Sequence, residues 1–336
     1  GKKNNMRNHF RLTTISKSMK SYMSPYEIDL VYLWVDGSDP EWLAKKREYL
    51  ENKTGLNIEA TSKARIADND ELRYSLRSAE KYAPWIRKVF IVTDEQKPKW
   101  LNLKNEKVEI IDIRALIPPE ALPCYNSVII EHFLYKIPGL SEHFLYANDD
   151  MFFNAEIGPE FFFNSEGMPI VRLQRAFLGK WMSRIRGLFN IPTNIYRKTI
   201  DRAAGLIKEK FGKYYSGTPH HNIDSYLKTD YRNVVEKDFR NEILSTLINH
   251  LRSEHDIQRI VYLYYALVKK RGVLRYVSRK ESCRIRLQKP DFMDYIMSYN
   301  PVLFCLNDTH RATDKDRERV KPFLEALFPE KSGYEL

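Results

Sequence analysis

Acidic and amide side chains follow three apolar segments of the chain, at the points where strands are predicted to end. The pairs are Asp36 with Asp39, Asp149 with Asp150, and Asn307 with Asp308. Carboxylate oxygens suit hard divalent cations, and one or two carboxylates are enough where the phosphates of a nucleoside diphosphate supply further ligands. A single acidic pair more often caps the next element. Three such pairs could converge on one edge of a sheet and bind a metal together with a diphosphate.

Arginines near a predicted helix start could neutralise phosphate charge. Arg65 precedes this start, and Arg73 and Arg77 lie four residues apart on one face of the helix. A guanidinium binds phosphate oxygens bidentately, which suits the clamping of a diphosphate. The alternative is a solvated face on which these arginines pair with neighbouring carboxylates.

Two adjacent histidines, His220 and His221, follow a Gly-Thr-Pro turn and precede a predicted helix. Such a pair can supply a general base near neutral pH, whereas a lone surface histidine is usually only a polar loop residue. Their position relative to the acidic pairs would decide between these interpretations. The absence of GxSxG, Walker A, GxGxxG and HExxH motifs removes support for serine hydrolases, P-loop proteins, dinucleotide-binding enzymes and zincins.

The elements that must position these residues alternate along the chain. Predicted strands are residues 28–34, 87–93, 107–112, 143–147 and 301–306, and predicted helices include 71–85 and 126–137. This order is typical of an α/β fold with a mostly parallel, Rossmann-like or GT-A-like sheet and helices on both faces. Ligands bind at the carboxyl ends of the strands in such sheets, which is where the acidic pairs fall.

The composition excludes several protein classes. The chain has 336 residues, of which 43% are hydrophobic, and no apolar run reaches the roughly 18 to 20 residues of a transmembrane helix. Its three cysteines lack CxxC spacing, so we expect neither a disulfide framework nor a zinc site. No apolar segment follows the basic opening, so a secretory signal is not predicted and a cytoplasmic location is expected.

The net charge of +11 is concentrated in two segments. Residues 1–20 contain six Lys or Arg and no acidic residue, and residues 172–213 contain eleven against two acidic residues. Within the second segment, residues 178–189 have the spacing of a basic amphipathic helix. This helix would either dock on an anionic membrane surface or pack on the core with a solvated basic face. No nucleic-acid-binding motif accompanies the charge, so no nucleic-acid partner is expected.

The chain therefore divides into three predicted parts. These are a basic tail over residues 1–26, an α/β catalytic core formed by residues 27–154 and 271–336, and a mostly helical insertion over residues 155–270. The insertion is expected to contribute His221 to the site.

Four ordered motifs resemble the conserved regions of the Stealth family, which includes bacterial capsular polysaccharide phosphotransferases and the lysosomal-enzyme N-acetylglucosamine-1-phosphotransferase. The first region is IDLVYLWVDGSDPEW, and the second runs from RIADNDELRYSLRSAEKYAPW to SEHFLYANDDMFF. The third is TPHHNID followed by HLRSEHDIQ, and the fourth is LFCLNDTHRATDKDRERVKPFLEALFPEKSGYE. The matches cover most of residues 28–335, apart from residues 155–215.

This resemblance implies an activity. Family members transfer a sugar-1-phosphate from a nucleotide sugar, usually a UDP-sugar, to a hydroxyl of an acceptor glycan. The reaction uses a divalent metal such as Mg²⁺ or Mn²⁺, releases UMP and leaves a phosphodiester. The acceptor in such cell-surface pathways is commonly lipid-linked, which implies a peripheral position on the inner face of the bacterial plasma membrane.

The resemblance also implies roles for individual residues. The catalytic residues would be His221, Asp149, Asp150 and Arg65. The nucleotide-sugar-binding residues would be Asp36, Gly37, Ser38, Asp39, Arg73, Asn126 and Arg252, and the metal ligands would be Asp150, Asn307 and Asp308. His221 fits the family's catalytic histidine because it lies three residues before Asp224. Thr218 occupies the position of a further family histidine, so the choice between His220 and His221 stays open.

Two other function classes remain in view. A metal-dependent GT-A-like glycosyltransferase that releases UDP would also place an acidic pair after a strand. A non-catalytic basic module for membrane or nucleic acid would explain the charge, but it would not need the acidic pairs or the histidines.

Overall fold

A computed structural model provides the fold, and it describes most of the chain. The described residues are 24–53, 70–176, 181, 185 and 193–336. Arg65, the basic opening up to residue 23 and most of the predicted basic helix at residues 178–189 lie outside this set.

Strands and helices alternate through the described residues, as the sequence predicts. The strands are β1 Ile28–Leu33, β2 Val89–Thr93, β3 Val108–Asp112, β4 His143–Asn148, β5 Met151–Phe153, β6 Ile170–Gln174, β7 Thr218–Pro219, β8 Asp224–Leu227, β9 Val273–Tyr276, β10 Ser282–Arg286 and β11 Leu303–Asn307. The α-helices are α1 Pro40–Asn52, α2 Glu71–Tyr82, α3 Ser127–Glu131, α4 Ile195–Phe211, α5 Lys228–Asn233, α6 Arg240–Leu244, α7 Ile260–Val268, α8 Phe292–Tyr299, α9 Asp314–Glu318 and α10 Val320–Leu327.

The main sheet has the strand order β3-β2-β1-β4-β8, and only β8 runs antiparallel to its neighbour. Its central strands are buried on both faces, as expected of a parallel sheet covered by helices. Val31 and Phe90 pack into one apolar cluster with α4 and α7, whereas Leu30 and Ile91 pack into another with α2. The predicted α/β fold with a mostly parallel sheet and helices on both faces is confirmed.

A second sheet, in the order β10-β11-β5, continues directly from the main one. Asp149 and Asp150 form the turn between β4 of the main sheet and β5 of this sheet. β11 pairs antiparallel with β5, so the end of β11 lies beside the same turn. Helices α8 and α10 cover the outer face of this sheet through a cluster that includes Phe292 and Leu324.

The middle of the chain is mostly helical, but it also contributes strands. Helices α4 to α7 lie within residues 155–270, together with β6, β7 and β8. β8 pairs with β4 and so extends the main sheet. A strand, not the predicted helix, therefore follows His220 and His221, because Asp224 enters the sheet opposite Tyr146.

Candidate active site

The carboxyl ends of β1, β2 and β4 and the start of β8 meet at one edge of the main sheet. Leu33 lies opposite both Val92 and Asn148, and Tyr146 lies opposite Asp224. The backbone N–H of Leu306 donates to the carbonyl of Asp150 at 2.9 Å, which brings the end of β11 to the same place. The three predicted pairs follow the ends of β1, β4 and β11. These strand ends and the histidine turn therefore lie along this region of the fold.

The loop after β1 is held in shape by hydrogen bonds of its own side chains. Asp36 Oδ1 accepts from the Ser38 N–H at 2.9 Å and from its hydroxyl at 2.6 Å. Asp39 Oδ1 accepts from the Glu41 N–H at 2.9 Å and so caps α1. The loop is thus a rigid turn that exposes Ser38 at the sheet edge.

Gln96, which follows β2, fastens this loop from the neighbouring strand. Its Oε1 accepts from the Asp36 N–H at 2.9 Å, and its Nε2 donates to the Asp36 carbonyl and to Asp39 Oδ2. The hydrogen bond from Gln96 is the main reason that the pKa of Asp39 lies below its ordinary value. No role is assigned to Gln96 from the sequence, although it lies three residues after the end of a predicted strand.

Arg73 and Arg77 share a face of α2, as predicted, but both contact acidic groups of this chain. Arg77 forms a bidentate pair with Glu335 at 2.7 and 2.8 Å. Arg73 lies 3.2 Å from Asp70 and 3.9 Å from Glu335, and its guanidinium lies 5.1 Å from the Trp100 ring centroid. The diphosphate clamp considered for Arg77 is therefore wrong, because this side chain holds the segment around Glu335 against α2.

Asp150 has an unusual environment for a carboxylate. Its Oδ2 accepts from the Cys305 thiol at 3.4 Å, whereas its buried Oδ1 has no hydrogen-bond partner among the described residues. The pKa of Asp150 is raised to about 6, mainly by burial; the charge of Asp308 also raises it, whereas the hydrogen bond from Cys305 and the charge of Arg284 lower it. An unpartnered buried carboxylate oxygen is costly, so a cation or a donor from a bound ligand would stabilise it.

The remaining predicted metal ligands fit less well. Both oxygens of Asp308 accept from Arg317, at 2.7 and 3.1 Å. Asn307 ends β11 and is partly exposed. Across the part of the chain that the structure describes, no group of three or more His, Cys, Asp or Glu side chains is arranged to hold a metal ion. Asp150 therefore fits a cation best, and Asp308 is engaged by Arg317.

The two histidines differ in how their rings are used. His220 is buried, with Nδ1 2.8 Å from the Ser282 hydroxyl and Nε2 2.9 Å from Asp224 Oδ1. His221 is partly exposed, and in the described part of the chain its ring nitrogens have no hydrogen-bond partner. Its ring lies 5.0 Å from the Tyr196 ring. Of the pair, His221 is therefore the one whose nitrogens can meet a substrate.

The backbone conformation and the charge environment of His221 are both unusual. Its φ is +53°, in the left-handed region that non-glycine residues adopt infrequently and that often marks functional sites. Burial lowers its pKa to about 3, and the charges of Arg284, His220 and Arg259 act in the same direction. The imidazole is consequently neutral at physiological pH and has a lone pair available for a proton.

Asn126 is used within the protein, whereas neighbouring Arg252 stays exposed. Asn126 is fully buried; its amide donates to the carbonyls of Asn249 and Leu251 and to Asp256, and its oxygen accepts from Val128. Direct contact with a nucleotide sugar is therefore excluded for Asn126, because its polar atoms are all used. It shapes the loop that presents Arg252. Arg252 is exposed and donates to the Ser127 hydroxyl at 2.9 Å.

The buried ion pair of Arg259 and Glu131 contacts the histidine turn through Tyr226. Arg259 donates to Glu131 at 2.8 Å and to the Tyr226 hydroxyl at 2.8 Å, and Tyr226 in turn lies 3.5 Å from Asp224. The guanidinium also lies 4.1 Å from the Tyr146 ring centroid. From the sequence, no role is assigned to Arg259. A single arginine at the start of an aromatic run was the available signal.

Comparisons with known proteins place this site in a family. The first conserved region of Stealth proteins, CR1, matches residues 26–54, and the second, CR2, matches residues 65–171. A galactosyltransferase, LgtC, solved with donor and acceptor sugar analogs, matches at a TM-score of 0.43 and 13% identity, over 89% of this chain and 96% of that chain. Among the described residues, no helix combines the length and apolarity that a membrane-spanning segment needs.

Sequence relatives extend over nearly the whole chain. The capsular polysaccharide phosphotransferase cps12A of Actinobacillus pleuropneumoniae is 35% identical over 305 residues, covering 86% of this chain and 78% of the relative. A capsular polysaccharide phosphotransferase of Actinobacillus suis is 33% identical, covering 92% and 85%. The exopolysaccharide phosphotransferase SCO2592 of Streptomyces coelicolor is 33% identical, covering 92% of this chain and 33% of the relative. With two family regions matched in order and relatives of this kind covered over most of their length, the chain belongs to the Stealth family.

Proposed function

We propose that this chain transfers a hexose- or N-acetylhexosamine-1-phosphate from a UDP-sugar to a hydroxyl of an acceptor glycan in capsular or exopolysaccharide synthesis. The names of its relatives support a phosphotransferase acting in polysaccharide synthesis. One observation carries the chemistry. A neutral, partly exposed His221 and a carboxylate with an unpartnered oxygen, Asp150, lie at one sheet edge, and the charge of Arg284 acts on both.

His221 would act as the general base. The acceptor hydroxyl gives its proton to a ring nitrogen of His221 while its oxygen forms a bond to the β-phosphorus of the donor. The bond between the β-phosphorus and the oxygen that bridges to the α-phosphate breaks, and UMP leaves with that electron pair. Since opposite charge favours the imidazolium, the bound diphosphate would raise the low pKa of His221 towards neutrality and make it a stronger base.

His220 and Asp224 would position this base without touching the substrate. Both ring nitrogens of His220 are hydrogen-bonded, one to Ser282 and one to Asp224. These bonds would hold the turn in the conformation that gives His221 its positive φ. The pair Arg259–Glu131 then holds Asp224 through the Tyr226 hydroxyl.

Asp150, together with Asp149 and Asn307, would hold Mg²⁺ or Mn²⁺. This assignment rests on the unpartnered, buried Oδ1 of Asp150 and on the oxygen chemistry that such hard cations prefer. When bound, the cation would neutralise negative charge on the phosphate oxygens. Asp308, whose oxygens bind Arg317, would keep the end of β11 in place beside these ligands.

The nucleotide would occupy the other end of the edge. The loop of Asp36, Gly37, Ser38 and Asp39 would contact it after β1, and Arg252 would reach it from the loop that Asn126 and Asp256 shape. Arg73 would add positive charge at the start of α2. Arg65 would act with it, as the family resemblance implies.

A donor labelled with ³²P in the β-phosphate tests the reaction type. Incubation of the protein with labelled UDP-sugar, an acceptor glycan and Mg²⁺ should release unlabelled UMP and transfer the label to the glycan. Release of labelled UDP would instead identify a glycosyltransferase that moves the sugar alone. A donor screen with UDP-hexoses and UDP-N-acetylhexosamines, followed by NMR of the product linkage, then identifies the sugar.

A further inference from the structure

One face of β10 points towards the site and carries a pair of arginines that neither the family resemblance nor the reaction scheme above assigns. Along this strand the residues alternate, with Cys283 and Ile285 buried in the outer cluster and Arg284 and Arg286 exposed. Side chains two residues apart in a strand share a face. Ser282 therefore lies on the same face as the two arginines.

Two contacts locate this face relative to the site. The Ser282 hydroxyl lies 2.8 Å from His220 Nδ1, so the start of the strand touches the histidine turn. Arg284 lies opposite Cys305 in the β10–β11 register, and the Cys305 thiol donates to Asp150. Since a strand advances about 7 Å in two residues, Arg284 is one step along from the histidine turn and one strand away from the acidic turn.

The pKa shifts of His221 and Asp150 agree with this position of Arg284. Burial dominates the pKa values of both His221 and Asp150, and the positive charge of Arg284 lowers both of them, by repulsion of the imidazolium and by attraction of the carboxylate. A guanidinium that acts on both groups lies within Coulomb range of both. The space between the base and the carboxylate therefore has a cation at its border.

Among the described residues Arg284 has no ion pair, unlike three other arginines named above. Arg77 binds Glu335, Arg259 binds Glu131 and Arg317 binds Asp308. In the described residues, no carboxylate lies within 4.0 Å of Arg284. A solvated surface arginine would also lack a partner, but Arg284 lies on the strand face that reaches the histidine turn and beside the strand whose Cys305 contacts Asp150.

We propose that Arg284 binds the β-phosphoryl group of the donor, the group that is transferred. The inference rests on the proposed function, because the β-phosphorus must lie within reach of both the hydroxyl activated by His221 and a cation held at Asp150. The guanidinium would donate two N–H groups to non-bridging β-phosphate oxygens. These hydrogen bonds strengthen as charge shifts in the transition state, so Arg284 is a catalytic residue as well as a binding one.

The number of phosphates on the nucleotide tests this assignment. UMP carries only the α-phosphate, whereas UDP also carries the β-phosphate, so calorimetric titration of each with Mg²⁺ present separates the two subsites. In Arg284→Gln the affinity for UDP should fall by about tenfold or more, as expected for lost hydrogen bonds to a charged group, while the affinity for UMP is unchanged. Arg284→Lys should keep part of the UDP affinity, because it keeps the charge but loses the bidentate geometry.

Arg279→Gln is the matched control. Arg279 is an exposed arginine just before β10 whose guanidinium lies 3.5 Å from the Tyr299 hydroxyl of α8. This variant should bind UMP and UDP as the wild type does.

Other outcomes separate the two proposals. Equal weakening of UMP and UDP in Arg284→Gln, or no weakening of either, overturns the β-phosphate assignment while leaving the proposed donor in place. A wild-type protein that binds neither UMP nor UDP overturns the proposed donor and the role of Arg284 with it. If the wild type turns over the labelled donor and Arg284→Gln keeps normal UDP affinity, only the role of Arg284 is overturned.

Discussion

At the scale of single residues, two adjacent histidines have opposite environments. His220 uses both ring nitrogens inside the protein, whereas His221 keeps its nitrogens available and takes a left-handed backbone conformation. The buried bonds of the first residue fix the geometry of the second. Under the proposed mechanism, the chemistry belongs to His221 and the stability to His220, and substitution can separate the two.

Substitution of the two histidines should give different losses. His221→Ala should lower kcat by about 10²- to 10⁴-fold, because it removes the general base, while thermal unfolding stays close to wild type. His220→Ala should lower the free energy of unfolding by about 1 to 3 kcal/mol, because it removes the hydrogen bonds that His220 makes to buried Asp224 and Ser282. Turnover assays and urea unfolding of both variants check this. Equal losses of kcat and equal losses of unfolding free energy in the two variants would contradict this division of roles.

At the scale of secondary-structure elements, α7 is tied to α3 and to the main sheet by charge as well as by packing. Arg259, just before α7, forms a buried pair with Glu131 at the end of α3 and lies against Tyr146 of β4. A buried pair is expensive to break on one side only, because the remaining charge has no solvent and no partner. The pair therefore couples the helical middle of the chain to the sheet edge.

A double-mutant cycle on this pair measures the coupling. Glu131→Leu alone and Arg259→Leu alone should each lower the free energy of unfolding by about 3 to 5 kcal/mol, because each leaves an uncompensated buried charge. The double variant should be less destabilised than the two single losses added together. Urea unfolding at pH 7 gives all four values, and strict additivity would show that the residues act independently.

The sequence predicts some of these elements much better than others. The strands β1 and β4 are found where their β-branched and aromatic runs lie, within one residue at each end. β8 and β10 escape prediction because serine, aspartate and arginine positions interrupt their apolar pattern. Both are recognised only through their partners β4 and β11. The predicted helix at residues 126–137 is interrupted after Glu131.

Residues of the candidate site are predicted where the strand before them has a clear sequence pattern, and they are missed where it does not. Asp36 and Asp150 follow strong strands, so the rule about carboxyl ends of parallel strands finds them. Arg284 lies on a strand that has no sequence signature, and Gln96 is not a charged residue. Asn126 was placed in the binding set by resemblance, whereas its burial assigns it to the support of a loop.

At the scale of the whole molecule, the basic excess and the acidic pairs of the sheet edge lie in different parts of the chain. The acidic groups cluster at the sheet edge, and the basic excess lies in residues 1–20 and 172–213. Trp181, in the second segment, is 66% exposed. We expect this segment to meet an anionic membrane surface on the cytoplasmic face, where a lipid-linked acceptor would be presented.

Vesicle binding tests this expectation. Trp181→Glu should reduce co-sedimentation with vesicles containing anionic lipid several-fold, because it replaces an apolar anchor with a like charge for the surface. Met297→Glu is the matched control, since Met297 is 67% exposed but lies on α8. High salt should weaken binding of the wild type. Equal binding of wild type and Trp181→Glu would exclude docking through this residue.

The pairing of β5 with β11 affects the order in which the protein folds. Asp150 and Cys305, which contact each other at the acidic turn, are separated by 155 positions along the chain. Closing a loop of this length costs entropy before the contact returns any stabilisation, and folds rich in such contacts form slowly. We therefore expect the pairing of β5 with β11, which completes the sheet edge at Asp150, to form after β1, β2 and β4 have paired.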